Sequence, residues 1–218
     1  ARTLETFNLK INQVIQTIEN NRTELVSLKS SLDEDYLTRA KAFAYVIEKN
    51  PNIIESVTEL QNLATLLDVD ELHVSDSEGL IAYSSVPKYV GLDFHNGEQM
   101  RGFLPILESD DPDEYVIQDA QPNTAEGKIM KYVGVARKDK KGLVQVGLEP
   151  TRLLEAQQRN TYSYIFSRFP TNEGEQLFAI NKTTNELIAS TNDLDDKEAS
   201  YYTCLLYTSP SPRDISGS

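Results

Sequence analysis

Residues able to carry chemistry are few and scattered. The two histidines, His73 and His95, lie in different segments without metal-ligand spacing, so neither a histidine metal site nor a histidine base is expected. The single cysteine, Cys204, falls in a terminal stretch treated below; without it the chain has no thiolate nucleophile, disulfide or Cys-ligated metal. There is no nucleophile elbow, glycine-rich phosphate loop or HExxH motif. Asp93 and Asp119 could serve glycoside hydrolysis only if a fold spaced them correctly, and nothing around them specifies that. The run Asp110-Asp-Pro-Asp-Glu114 has calcium-friendly carboxylates but lacks the alternating oxygens and glycine of an EF-hand, so it reads as a solvated acidic turn. Lys138-Asp-Lys-Lys141 reads as a hairpin turn. The expectation is therefore no catalytic residue, no metal and no cofactor, and not an enzyme.

Charge narrows the partners. Asp and Glu number 34 against 21 Lys and Arg, a net charge of −13, which the phosphate backbone would repel; nucleic acid is not expected as a partner. Acidity of this degree favours solubility and an exported setting.

The elements that position these residues can be read from periodicity. Leu4, Phe7, Ile11, Val14, Ile18, Leu25, Leu28 and Leu32 alternate three and four apart, with Asn21 at the missing position. This heptad stripe predicts a long helix with one narrow seam, facing either a second copy or its own domain. A homodimer through Leu4, Phe7, Ile11, Val14, Ile18 and Leu25 is the partner expected in the first case. Ser31-Leu-Asp-Glu34 is a capping box, predicting a second helix that runs to about Lys49 and stops before Asn50-Pro51, with Tyr36, Ala40, Phe43 and Ile47 buried. A third helix carries Val57, Leu60, Ala64 and Leu67. Alternation then takes over: a hairpin over 71–85, a loop over 86–94, a short helix around 98–107, and strands over 115–119, 128–137 and 142–148. A helix over about 151–169 leads to a second hairpin. Phe178-Ala-Ile-Asn-Lys-Thr-Thr-Asn-Glu-Leu-Ile-Ala-Ser-Thr191 repeats the plan of Leu72-His-Val-Ser-Asp-Ser-Glu-Gly-Leu-Ile-Ala-Tyr-Ser-Ser85, each turning at a residue that accepts positive φ, Asn185 or Gly79. A repeat this long reads as a duplicated small domain.

The ends have their own reading. Cys204-Leu-Leu-Tyr-Thr-Ser-Pro-Ser-Pro-Arg-Asp214 resembles the translation of a sequencing adaptor, so 204–218 is set aside as non-native. With Ala1 in place of an initiating Met, the chain is expected to be a fragment at both ends. The expected organisation is 1–50 as the heptad helix and second helix, 51–150 as one complete module, 151–175 as a connecting helix, and 176–203 as the truncated start of a second module, poorly anchored because its strands lack the rest of a sheet.

This order of elements resembles the extracytoplasmic, PAS-like sensor module called Cache, and the repeat makes the chain look like a double Cache. The matching stretches are Val74-Ser-Asp-Ser-Glu-Gly-Leu-Ile-Ala-Tyr-Ser84, Tyr89-Val-Gly-Leu-Asp-Phe94, Tyr132-Val-Gly-Val-Ala-Arg137 and Gly142-Leu-Val-Gln-Val-Gly-Leu-Glu-Pro150. The resemblance implies an α+β fold, with a long N-terminal helix packed on a five-stranded antiparallel sheet. It also implies ligand sensing outside the cytoplasm by a membrane signalling protein of bacterial type, whose membrane spans and kinase, cyclase, phosphatase or chemoreceptor output lie outside this sequence. The ligand would sit between the loop and helix after the second strand and the central strands, a window holding Tyr83, Tyr89, Arg101, Phe103, Tyr115, Asp119, Tyr132 and Arg137. An aromatic wall with a guanidinium and a carboxylate suits a small carboxylate or zwitterion. The amino-acid-binding version of the family carries Arg-x-Trp-Tyr and Tyr-x-Asp at these places. Here Arg101-Gly-Phe103-Leu104 and Tyr115-Val-Ile117 keep only the Arg and one Tyr, which puts an α-amino-acid ligand in doubt. Beside this stands a plainer reading: Arg101 as a surface residue, Tyr83, Tyr115 and Tyr132 as strand aromatics, and the chain as a dimerisation scaffold working through its heptad helix.

Overall fold

A computed structural model describes residues 2–191; the stretch read as adaptor, Cys204 to Asp214, lies outside the described residues. One helix, α1, runs without a break over Arg2–Lys49. The capping box at Ser31 therefore starts no new helix. No Gly or Pro occurs between Arg2 and Lys49, and the apolar stripe continues in phase from Leu32 to Tyr36, Ala40, Phe43 and Ile47, so nothing favours an interruption. The helix stops, as its sequence predicts, before Asn50-Pro51, where a 3-10 turn over Pro51–Glu55 follows. Next come α2 (Val57–Leu67), β1 (Glu71–Ser75), β2 (Ile81–Ser84), α3 (Glu98–Arg101), α4 (Leu104–Glu108), β3 (Tyr115–Ile117), β4 (Gln121–Pro122), β5 (Ile129–Ala136) and β6 (Leu143–Leu148). The helix expected over 151–169 is two, α5 (Thr151–Arg159) and α6 (Tyr162–Arg168), because Thr161 caps the second by accepting from the backbone N–H of Tyr164. A final hairpin pairs β7 (Phe178–Ile180) with β8 (Leu187–Ser190). Both hairpins turn where expected, with Gly79 and Asn185 at positive φ. Among the described residues no helix is long and apolar enough to cross a membrane.

The described residues divide into two compact units, 29–151 and 2–28 with 152–191. In the first, the strands form one antiparallel sheet in the order β2-β1-β6-β5-β3, with β4 beside β5. This is the α+β architecture of a long helix on a PAS-like sheet. One face carries Leu72, Val74, Val133, Val135, Val144 and Val146 and packs on Phe43, Ala40 and Ile47 of α1 and Leu60 of α2. The opposite face is covered too, by Phe94, Met100, Phe103 and Ile106 of the segment between β2 and β3. Two covered faces explain why β1 and β6 are buried at every position despite alternating sequences. Gly134 of β5 permits that cover, since a Cβ there would lie 2.8 Å from the Phe103 ring.

In the other unit, Val14 and Ile18 of α1 pack with Ile165 and Phe166 of α6, and with Leu177 and Ala189 of the terminal hairpin, with Phe7 beside them. The chain thus covers this stretch of its own heptad seam. Of the two partners open to that seam, Phe7, Val14 and Ile18 meet their own domain; Leu4 is exposed, and Ile11 and Leu25 are half-buried. The same contacts anchor β7 and β8, which were expected to lack support.

Candidate functional site

The site grows from the alternation of β1. Leu72 and Val74 face the helices, which puts Glu71, His73 and Ser75 on the other face, beside Gln145 of β6. On an open sheet those residues would meet water. Here the segment between β2 and β3 lies over them, and His73, Gln145 and Ser84 are at most 3% exposed. Buried polar groups require partners, and these have them. His73 Nε2 lies 2.9 Å from Glu71 Oε2, and Nδ1 lies 2.8 Å from Ser84 Oγ. In the neutral ring Nε2–H donates to Glu71 while Nδ1 accepts from the Ser84 hydroxyl, whose oxygen takes the Val86 N–H at 2.9 Å.

Tyr132 arrives from β5. Its hydroxyl donates to Glu71 Oε2 at 2.8 Å and accepts from Asn123 Nδ2 at 3.2 Å. The ring reaches Glu71 because Gly147 of β6 stands between them in register, facing Tyr132 on one side and Glu71 on the other. Asn123 is itself fixed by the backbone N–H groups of Glu126 and Lys128, which donate to its Oδ1 at 2.9 and 3.2 Å. Tyr89 comes from the 3-10 turn Pro87–Tyr89 and donates to Glu126 Oε2 at 2.5 Å; Lys88 pairs with the same carboxylate. The His73 ring tilts against Tyr89 and Tyr132, with centroids 5.6 and 6.2 Å away.

Electrostatics follow this geometry. Burial first, and then the Glu71 carboxylate, push the Tyr132 phenol well above its ordinary range. Burial and the bond to Glu126 do the same to Tyr89. Hydrogen bonds from Lys88 and Tyr89 lower Glu126. His73, Tyr89, Tyr132, Gln99, Asn123 and Gln145, together with apolar side chains such as Ile81 and Met100, line a partly open cavity of about 20 Å³, room for one water. Glu71, His73 and Ser84 form an acid, imidazole and hydroxyl relay. Ser84 is only 1% exposed, and in this structure the relay is an internal hydrogen-bond chain. Among the described residues no group of three or more His, Cys, Asp or Glu side chains is placed to hold a metal.

Of the window expected from sequence, only Tyr89 and Tyr132 line this cavity. Phe103 is buried beside it as core, edge-on to Phe94. Tyr83 packs on the helix side of the sheet instead. A bulge causes this: Val74 pairs with Tyr83 and Ser75 with Ile81, so Ala82 is the extra residue and the faces switch between Ile81 and Tyr83. Arg101, Tyr115 and Asp119 are exposed, and none of them lines the cavity. Arg137 is buried at the β5–β6 turn, bound through both Nε and Nη2 to Asp139 and through Nη1 to the Ser75 carbonyl at 2.7 Å. The guanidinium and carboxylate expected to face one ligand are thus not brought together. The missed residues are Glu71, His73, Ser84, Gln145 and Asn123. Polar side chains recurring on one face of β1 were the available signal, and its usual meaning is a solvated face.

No protein-family model matches the sequence, and no curated protein matches it. Solved structures do resemble the chain. The likeness is to sensor domains. The sensory domain of the Campylobacter jejuni chemoreceptor Tlp3 with isoleucine bound is 15% identical with a TM-score of 0.48, covering 87% of this chain and 74% of its own. The Vibrio cholerae histidine kinase DctB sensor domain is 12% identical, TM-score 0.46, over 86% of this chain and 69% of its own. The Escherichia coli DcuS sensor domain is 16% identical, TM-score 0.39, over 59% of this chain and 96% of its own. Identities and scores this low leave the function to be judged from the chain's own residues.

Proposed function

We propose that this chain is the sensing part of a Cache-type transmembrane signalling protein, placed outside the cytoplasm, and that it binds a small organic molecule on the β1, β5 and β6 face. One observation carries the reading: Glu71, His73, Ser84, Asn123 and Gln145 form a buried polar patch on a sheet face otherwise packed with Phe94, Met100, Phe103 and Ile106. A core needed only for stability is better served by apolar residues, since each buried polar group must recover its desolvation cost. The patch lies where the resemblance of Tyr89–Phe94 and Tyr132–Arg137 puts a ligand. The cavity of about 20 Å³ holds no more than one water, so binding an organic molecule requires Tyr89 and its neighbours to move aside. A change in β1 or β5 passes to α1 through one sheet thickness, because Val74 and Val135 pack in the same cluster as Phe43 and Ile47.

The test is a thermal-shift screen of metabolites on the whole chain. A ligand at 100 times its Kd adds about 2.7 kcal/mol of stability. Arg101→Ala should leave any hit unchanged, because that side chain lies outside the cavity. A silent broad library sinks the ligand-binding reading and leaves the scaffold.

A further inference from the structure

Resting on that reading, we infer that the ligand is an organic cation, an amine or methylated ammonium, not a carboxylate. The walls of the cavity hold aromatic rings, amides and a hydroxyl, and no Lys or Arg. The lysines near them already have carboxylate partners, and one of them, Lys88, also stands over the Tyr89 ring, 5.4 Å from its centroid, so that this wall already meets an ammonium on one face. Lys88 pairs with Glu126 and Lys128 with Glu149. Lys131 pairs with Asp33 and also donates to the Gln118 carbonyl, and Arg101 is exposed. A carboxylate entering here would lose its water and find no guanidinium or ammonium to replace it.

The opposite charge is provided for. Glu71 is 7% exposed and, among the described residues, has no Lys or Arg partner; its hydrogen bonds come from Tyr132 and His73. Glu71 does not itself line the cavity; its two donors do, and their rings border the free space together with Tyr89, the His73 ring tilting against both tyrosines. Ring faces beside a buried carboxylate are what a desolvated ammonium needs, combining the cation–π attraction with an ionic hydrogen bond. An arriving ammonium takes over the Glu71 oxygen from Tyr132 or His73, and the cover opens to admit its carbon skeleton. The net charge of −13 draws cations toward the whole surface.

The experiment compares two sets of small molecules on the whole chain at matched ionic strength. Methylammonium, ethanolamine and choline form one set; acetate, succinate and α-amino acids form the other. A compound of the first set is expected to raise the unfolding midpoint by about 5 °C or more at 100 times its Kd. Glu71→Gln, which keeps an acceptor for Tyr132 but removes the charge, should abolish that rise. Tyr89→Leu, which removes one ring and leaves Glu71 untouched, should weaken binding roughly tenfold, and carries the test alone if Glu71→Gln fails to fold. Hits confined to the second set, or an amine whose binding ignores both substitutions, overturn the cation inference and leave the sensing reading standing. Silence in both sets and in a wider library ends both.

Discussion

Replacing Gly147 by alanine tests how the site is assembled. The added Cβ would lie 2.4 Å from Tyr132 Cε1 and 2.7 Å from Cδ1, well inside contact distance. The backbone at Gly147 is not at positive φ, so the conformation itself accepts alanine. The conflict is with the ring alone, and the ring cannot retreat freely because its hydroxyl is bonded to Glu71 and Asn123. Overpacking of this kind costs about 1–3 kcal/mol. If the ring swings far enough to release Glu71, the carboxylate keeps its bond to His73 but loses the one from Tyr132, which adds about 1.5–3 kcal/mol. Against this stands a gain of up to about 1 kcal/mol from a less flexible unfolded chain. The expected net loss is about 2–3 kcal/mol, read as a lower urea midpoint at unchanged slope by far-UV circular dichroism. The decisive comparison is the double-mutant cycle with Tyr132→Ala. Without the ring, Gly147→Ala should cost almost nothing, giving a coupling of about 2 kcal/mol. Equal cost in both backgrounds, or no cost in the native one, would refute the claim that Gly147 exists to seat Tyr132.

Two further outcomes are expected. Phe43→Ala, at a position with no exposure in the main core, should cost about 3–5 kcal/mol, whereas Tyr45→Ala, 59% exposed on the same helix, should stay within about 0.5 kcal/mol; similar losses would contradict the assigned helix face. The Lys10 ammonium, followed by the Asn172 N–H, holds the Glu175 carboxyl at about 2. Because this lies below the unfolded value of about 4.3, the stability it supplies is present above that pH and disappears as the pH falls through about 2. Carbon-13 titration of the side chain should show this depressed midpoint, with Lys10→Ala raising it; a midpoint near 4.3 in the native chain would show that the contact is not formed.

Sequence alone determined those features that depend on neighbours along the chain. The stop of α1 before Asn50-Pro51 follows from the backbone restriction that proline imposes. The turns at Gly79 and Asn185 follow from their tolerance of positive φ, and the strands over 71–75, 129–136 and 143–148 follow from side-chain alternation. Tyr89 and Tyr132 were within reach because their flanking residues resemble a known pattern. Periodicity, however, tells which side of an element a residue occupies and is silent on what lies against that side. It could not say that Val14 and Ile18 would be covered by Ile165 and Phe166, distant in sequence. A single extra residue in β2 was enough to send Tyr83 to the opposite face, since a strand has only two sides. Above all, only the tertiary structure decided that Glu71 and His73 are buried. Residues 86–108 cover the face that their alternation marks as solvated, and the cost of burying polar groups there is what turns an ordinary strand pattern into a candidate site.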